Sequence, residues 1–141
     1  MTRDEGTATI EFTFLAILLL VPLVYVVLSA SQVQRNAYAA AEAARDAGRA
    51  YVRAETAGEG EREAYAAARL AFSDQGLDLP EDAIRITCSA DPCLTPGARV
   101  TVSINARAAL PGVPALGRGA AAVRVTAHHV EVVDTYRAAP S

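Results

Sequence analysis

Few side chains of this chain could do chemistry, and two cysteines and two histidines are the first to consider. Cys88 and Cys93 enclose a six-residue loop. Outside the cytoplasm we expect such a pair to form a disulfide, worth roughly 2 kcal/mol for so short a loop; the alternative is two unpaired buried thiols. The adjacent His128 and His129 add too few ligands for a zinc site, so we predict no metal.

The sequence has no arrangement typical of an enzyme. Two groups of carboxylates occur, Asp4-Glu5 and Glu59-Glu61-Glu63, but the first lies in a charged leader and the second in a solvated turn. No Ser/His/Asp order, phosphate-binding loop or Cys-x-x-Cys motif is present. We therefore predict that the protein is not an enzyme and has neither a cofactor nor a small-molecule substrate.

Composition excludes two further classes of protein. The 141 residues include 13 basic and 16 acidic side chains, a formal net charge of -3. A nucleic-acid-binding domain would show a basic excess, so we predict no nucleic-acid partner. Hydrophobic residues make up 52% of the chain, which is too many for a disordered protein.

The residues from Phe12 to Ala30 form an apolar stretch of nineteen residues without a charge. About 20 such residues in a helix cross the hydrocarbon core of a bilayer, so we expect the lipid bilayer to be a partner. Three interpretations remain open. The stretch is a secretory signal cut before Ser31, a plain single-pass anchor, or the anchor of a processed subunit. Its length and the acidic residues before it argue against the first.

The residues before the apolar stretch point to the third interpretation. A short charged leader ends in Gly6, Glu11 follows five positions later, and the apolar stretch then begins. In these features the chain resembles the TadE-like minor pseudopilins of tight-adherence (Flp-type) pilus systems, and residues 130–137 are similar to the closing strand of actinobacterial members. The resemblance implies a pilin-like fold, cleavage between Gly6 and Thr7 by a prepilin peptidase, and assembly with other pilins or pseudopilins.

The resemblance also implies a role for Glu11 in subunit assembly. Cleavage after Gly6 frees the α-amine of Thr7, and the ammonium of one subunit neutralises the Glu11 carboxylate of its neighbour. A carboxylate at the centre of a membrane helix costs about 2.5–3.5 kcal/mol, and less near the helix end, so Glu11 needs a partner or water. The alternatives are that Glu11 reaches the headgroups and that Gly6 is an ordinary flexible residue.

The orientation in the membrane is the next expectation. Near the apolar stretch, one arginine (Arg3) lies on the N-terminal side and three (Arg35, Arg45, Arg49) lie on the C-terminal side, so the positive-inside rule taken alone would place the C-terminal region in the cytoplasm. That rule is weak for long translocated regions. From the resemblance and the cysteines we expect a single-pass protein of the cytoplasmic membrane, with its N-terminus in the cytoplasm, its C-terminal region extracytoplasmic, and a place in a surface pilus.

Helix-forming residues continue beyond the membrane. We predict one helix over residues 7–54, a break at Gly58-Glu59-Gly60, and a second helix from Glu61 to Gln75 that Gly76 closes. Apolar residues, most of them alanine, form a seam on the first helix at alternating spacings of three and four: Ala30, Val33, Ala37, Ala40, Ala44, Ala47 and Tyr51. This seam is either a packing face in a filament or a face covered by the protein's own second helix or sheet.

After Pro80 the apolar residues alternate, which predicts three half-buried antiparallel strands. A parity shift to Val130 and Val132 predicts a bulge at His128-His129. The expected fold is α+β and pilin-like, with the helices packed on the sheet. The expected regions are a leader (1–6), a transmembrane helix (7–34), extracytoplasmic Ala-rich helices (35–79), a sheet region (80–137) and a tail (138–141).

Overall fold

A computed structural model describes the backbone of residues 5–110 and 122–137, and the side chains from residue 9 onward in these ranges. It contains two helices, α1 (Glu5–Arg53) and α2 (Ala57–Asp74), and three strands, β1 (Ile84–Cys88), β2 (Arg99–Ala109) and β3 (Ala122–Val132). The expected α+β class is confirmed. Part of the predicted leader, residues 1–4, and the predicted tail, residues 138–141, lie outside the described residues.

Helix α1 is one uninterrupted helix of 49 residues with two different halves. The apolar side chains of its first half, through Leu28, are exposed. The second half carries a stripe of alanines that are at most 1% exposed: Ala39, Ala40, Ala43, Ala44 and Ala47. Alanine favours the helix and leaves little bulk on its surface, so α2 and the sheet can approach this stripe closely.

Helix α2 begins at Ala57, four residues earlier than predicted, and the break falls at residues 54–56. Thr56 is the N-cap, and its hydroxyl accepts a hydrogen bond from the Glu59 amide (3.2 Å). The Glu59 carboxylate in turn accepts from the Glu55 amide (3.1 Å). This Thr-x-x-Glu arrangement is close to a capping box, and it starts a helix despite the two glycines that follow.

Gly60 belongs to α2 because of tertiary packing. A Cβ at this position would lie 3.1 Å from both the ring and the backbone oxygen of Tyr51. The missing side chain therefore lets the first turn of α2 rest on the end of α1. The helix then buries its apolar face: Ala64, Ala68, Ala71 and Phe72. At the other end Gly76 has φ +67°, and the Leu77 amide bonds back to the Phe72 oxygen (2.9 Å), so the predicted closure at Gly76 is confirmed.

The strands form an antiparallel meander in the order β1-β2-β3, as predicted. The inner face of β2 is the centre of the core, with side chains at most 2% exposed: Val100, Val102, Ile104, Ala106 and Ala108. These residues, the alanine stripe of α1 and the apolar face of α2 form one cluster. A single core therefore joins the second half of α1 to α2 and the sheet.

The predicted bulge at His128-His129 is wrong. The β2–β3 pairing runs without interruption from Arg99↔Val132 to Ala109↔Ala122. Parity is therefore unchanged, and Val130 and Val132 stand on the outer face, each 51% exposed. The same pairing places His129 toward α1. There its ring edge packs at Gly48, and its Nε2 is paired with the Glu131 carboxylate (3.0 Å).

Candidate functional site

The first half of α1 is an apolar surface that nothing in the described chain covers. Its large side chains, from Ile10 to Leu28, are between 38% and 74% exposed. Among the described residues this is the one helix long and apolar enough to cross a membrane. A helix that is apolar on all sides needs a non-aqueous environment, which a bilayer or a bundle of similar helices provides.

Glu11 stands at the start of this surface. Its side chain is exposed, and it has no ion pair or side-chain hydrogen bond with any described residue. The hydroxyl of nearby Thr13 is satisfied within the helix, because it donates to the Thr9 carbonyl (2.8 Å). The carboxylate of Glu11 is thus the polar group at this end of α1 that the described fold leaves for water or another molecule.

The predicted processing residues lie in the first turn of α1. The backbone of Gly6 and Thr7 is helical, and Thr7 is four residues from Glu11. At a rise of 1.5 Å per residue, the Thr7 nitrogen and the Glu11 backbone are about 6 Å apart along the axis. A neighbouring copy staggered along the axis could therefore bring its terminal amine beside this carboxylate.

The seam of small residues divides between two environments. Ala40, Ala44, Ala47 and Tyr51 are at most 1% exposed in the core. Val33 is half-buried, and Ala30 and Ala37 are exposed. The chain's own α2 and sheet therefore cover the C-terminal part of the seam. The N-terminal part of the seam leaves Ala30 and Ala37 accessible to another helix.

Comparisons with protein-family models, with curated proteins and with solved structures found no match.

Cys88 and Cys93 lie at disulfide-bonding distance, with their sulfurs 2.06 Å and their Cα atoms 5.3 Å apart. Cys88 ends β1, and the bond fixes the start of the loop that leads to β2. Next to it, Ser89 makes two hydrogen bonds with Arg99: the Ser89 amide donates to the Arg99 carbonyl (2.9 Å) and the Ser89 hydroxyl accepts from the Arg99 amide (2.8 Å). The disulfide and these hydrogen bonds together hold the end of the sheet at which β1 ends and β2 begins.

Arg137 makes a contact that sequence reasoning missed. Its guanidinium donates to the carbonyls of Val52 (2.9 Å), Ala54 and Glu55 (3.2 Å). These are carbonyls at the end of α1, where a helix leaves acceptors without partners and favours a cation. No local pattern identifies it, because 82 to 85 positions separate the donor from its acceptors.

The fold perturbs the titration of Tyr51. Burial, and secondly the nearby Glu61 carboxylate, raise the pKa of the Tyr51 hydroxyl above its ordinary value. Both effects disfavour the phenolate, which is the pattern of a structural tyrosine at a helix junction. Among the described residues no three His, Cys, Asp or Glu side chains converge as metal ligands. His128, for instance, lies on the outer face and bonds the Ser103 hydroxyl (2.9 Å).

Proposed function

We propose that the chain is a TadE-like pseudopilin, a structural subunit of a tight-adherence pilus or related secretion assembly. In this proposal a prepilin peptidase cuts between Gly6 and Thr7. The protein crosses the cytoplasmic membrane once through α1, with its helical and sheet region outside the cytoplasm. Other pilins or pseudopilins then pack against the first half of α1. The observation that carries the proposal is Glu11, a carboxylate at the start of an exposed apolar helix that has no partner among the described residues.

Two further features support the proposal. The apolar half of α1 continues without a break into the half that forms the core. The membrane helix is therefore joined directly to the head, which is the second half of α1 together with α2 and the sheet. Residues Ala30 and Ala37 remain exposed beside the apolar stretch, which allows a second helix to approach closely. A plain membrane-anchored binding module requires neither the Gly6-to-Glu11 spacing nor an exposed helical stalk.

The mature N-terminus tests the processing step. Mass spectrometry of the protein extracted from membranes should find a chain that begins at Thr7. A start at Ser31 would identify a cleaved secretory signal, and an uncut Met1 would identify a plain anchor. Either result contradicts the pseudopilin proposal.

A charge-removing substitution tests assembly. Glu11→Gln keeps the shape and the hydrogen-bonding capacity of the side chain, so insertion and cleavage should survive. Assembly should fail, because a neighbour's ammonium would be left in a low dielectric without a counter-charge. The readout is recovery of the protein in sheared filaments or assembly complexes, normalised to its level in the membrane. Glu42→Gln, an exposed position in the second half of α1, is the matched control. Normal assembly of the Glu11→Gln protein would remove the main support for the proposal.

The cysteines report the orientation. If the sheet region is extracytoplasmic, Cys88 and Cys93 are oxidised and resist alkylation in intact cells until a reductant is added. The chain has no other cysteine, so the labelling is unambiguous. Ready labelling without reductant would place the region in the cytoplasm.

A further inference from the structure

Two arginines lie opposite each other on the outer face of the sheet, without a carboxylate partner among the described residues. Arg107 on β2 and Arg124 on β3 lie directly opposite each other, and both side chains are exposed. With Asn105, Asp82 and Pro80 they line a shallow depression of about 400 Å³. Like charges opposite each other in an antiparallel pair destabilise a sheet, so this pair is unfavourable unless an anion lies between the two guanidinium groups.

The depression offers donors that suit a phosphate. Neither Arg107 nor Arg124 is in an ion pair with any described residue, although Asp82 lies in the same depression. The Asn105 side-chain oxygen accepts a hydrogen bond from the Thr126 hydroxyl (3.4 Å), which leaves its amide N–H groups for a ligand. Two guanidinium groups and an amide match the oxygens of a phosphate, and the net charge of the site is positive.

Two contacts give the direction of the sheet relative to α1. Gly48 of α1 packs at His129, where an added Cβ would lie 3.3 Å from the ring. Further along β3 and its continuation, Arg137 binds the carbonyl of Val52. Residue numbers thus increase in the same direction along α1 and β3. The start of β3 and the end of β2, where Arg124 and Arg107 lie, therefore point toward the apolar half of α1.

The height of the arginines above the membrane follows from the same contacts. Val102 lies at Gly48, and the five residues from Val102 to Arg107 extend about 17 Å. That length equals about 11 residues of helix, which brings Arg107 level with the region of Ala37 on α1. The apolar stretch ends at Ala30, about 10 Å lower. The headgroup layer is about 5–8 Å thick on each side of the hydrocarbon, so an extended arginine side chain spans the remaining gap.

We propose that Arg107 and Arg124 together bind the phosphate of an anionic phospholipid headgroup at the membrane surface from which α1 emerges. An anionic headgroup fits better than a zwitterionic one, because the ammonium of a zwitterionic lipid would meet the positive charge of the site. The inference rests on the proposed single-pass placement of α1, but it does not require pilus assembly. The lipid would hold the membrane-proximal end of the sheet against the surface.

The test uses the full chain in detergent micelles, titrated with phosphatidylglycerol or phosphatidylcholine and analysed by native mass spectrometry. A basic residue near an anionic surface contributes about a five-fold gain in affinity, so we expect Arg107→Gln/Arg124→Gln to bind phosphatidylglycerol about 25-fold more weakly. Binding of phosphatidylcholine should not change. The substitution removes a repulsion, so the fold should remain intact, which circular dichroism checks. Each single variant should show about a five-fold loss.

Two control variants make the test specific. Arg53→Gln/Arg62→Gln removes the same charge at exposed positions on the end of the head distant from the membrane, and it should leave lipid binding unchanged. Arg107→Lys/Arg124→Lys keeps the charge and should retain most of the preference. A competition with about 10 mM inorganic phosphate distinguishes a lipid site from a free-anion site.

Four results would overturn the inference. They are no preference for phosphatidylglycerol in the native chain, a preference that persists in Arg107→Gln/Arg124→Gln, an equal loss in Arg53→Gln/Arg62→Gln, and displacement of the lipid by inorganic phosphate. The test involves no other subunit. If the native chain selects phosphatidylglycerol and the Glu11→Gln protein assembles normally, this inference stands and the pilus proposal fails. If the native chain shows no lipid preference and the Glu11→Gln protein fails to assemble, the pilus proposal stands and this inference fails.

Discussion

Replacement of Arg137 by alanine should loosen the junction of the two helices. The guanidinium donates three hydrogen bonds to carbonyls at the end of α1, and its side chain is half-buried. One hydrogen bond from a charged donor contributes about 1.5 kcal/mol or more, and a cation at a helix C-terminus adds about 0.3–1 kcal/mol. The three bonds share one group, and water can replace part of them. We therefore expect Arg137→Ala to lower the free energy of unfolding of the head by about 2–3 kcal/mol.

The lysine variant separates charge from geometry. Arg137→Lys retains a cation at the helix end, but a single ammonium does not match three carbonyls as a planar guanidinium does. It should recover about 1 kcal/mol of the loss. The expected order of stability is therefore the native chain, then Arg137→Lys, then Arg137→Ala.

The assay is urea unfolding of the full chain in detergent micelles, read by pulse proteolysis of the region outside the micelle. With a urea m-value of about 1–3 kcal/mol/M, a loss of about 2–3 kcal/mol moves the midpoint by about 0.7–3 M. Arg62→Ala, an exposed arginine on α2 with no hydrogen bond or ion pair to the described residues, is the control. If the Arg137→Ala midpoint lies within experimental error of the Arg62→Ala midpoint, the contact to α1 contributes no stability and the reasoning is refuted.

Two further predictions concern the junction of α1 and α2. Gly58→Ala should stabilise the head by about 0.5–1 kcal/mol, because nothing lies within 4 Å of the added Cβ. Gly60→Ala should destabilise it by about 1–2 kcal/mol, because the added Cβ meets Tyr51 at 3.1 Å. Equal effects of the two substitutions in urea unfolding would contradict this packing. The raised pKa of Tyr51 predicts a contribution to stability that is complete below the ordinary tyrosine pKa of about 10 and is lost as the pH rises through the folded-state value. Tyr51→Phe should therefore weaken the fall in stability above about pH 10, which urea unfolding of both proteins across that pH range would measure.

Local periodicity was sufficient to predict most of the fold. The apolar stretch, the alanine spacing of α1 and the alternation in β1, β2 and β3 are properties of short segments, and the structure has all of these elements. The start of α2 was misjudged because Gly58 and Gly60 were given more weight than the Thr56-to-Glu59 cap. A Thr-x-x-Glu pattern was present in the sequence, but the reason for Gly60 lies in its contact with Tyr51, which only the folded chain provides.

The outer face of β3 was misjudged for a related reason. The sequence predicts a parity shift at Val130 and Val132 only on the premise that apolar residues face the core. Pairing with β2 sets the parity instead, and it places the mutually satisfied His129 and Glu131 toward α1. Arg137 could not be predicted, since its acceptors are distant in sequence. Glu11 could be singled out from the sequence because a carboxylate beside nineteen uncharged residues is anomalous without any knowledge of the fold.

The continuity of α1 has a mechanical consequence. Between Pro22 and Arg53 the helix contains no further proline and no interruption, and its C-terminal half packs in the core. No hinge therefore lies between the membrane helix and the head. A rotation or tilt of the membrane helix turns the sheet through the same angle. Withdrawal of α1 from the bilayer by one helical turn would lift the whole head by about 5.4 Å. Force applied at the membrane end would thus reach the outer face of the sheet as displacement, with little lost to bending.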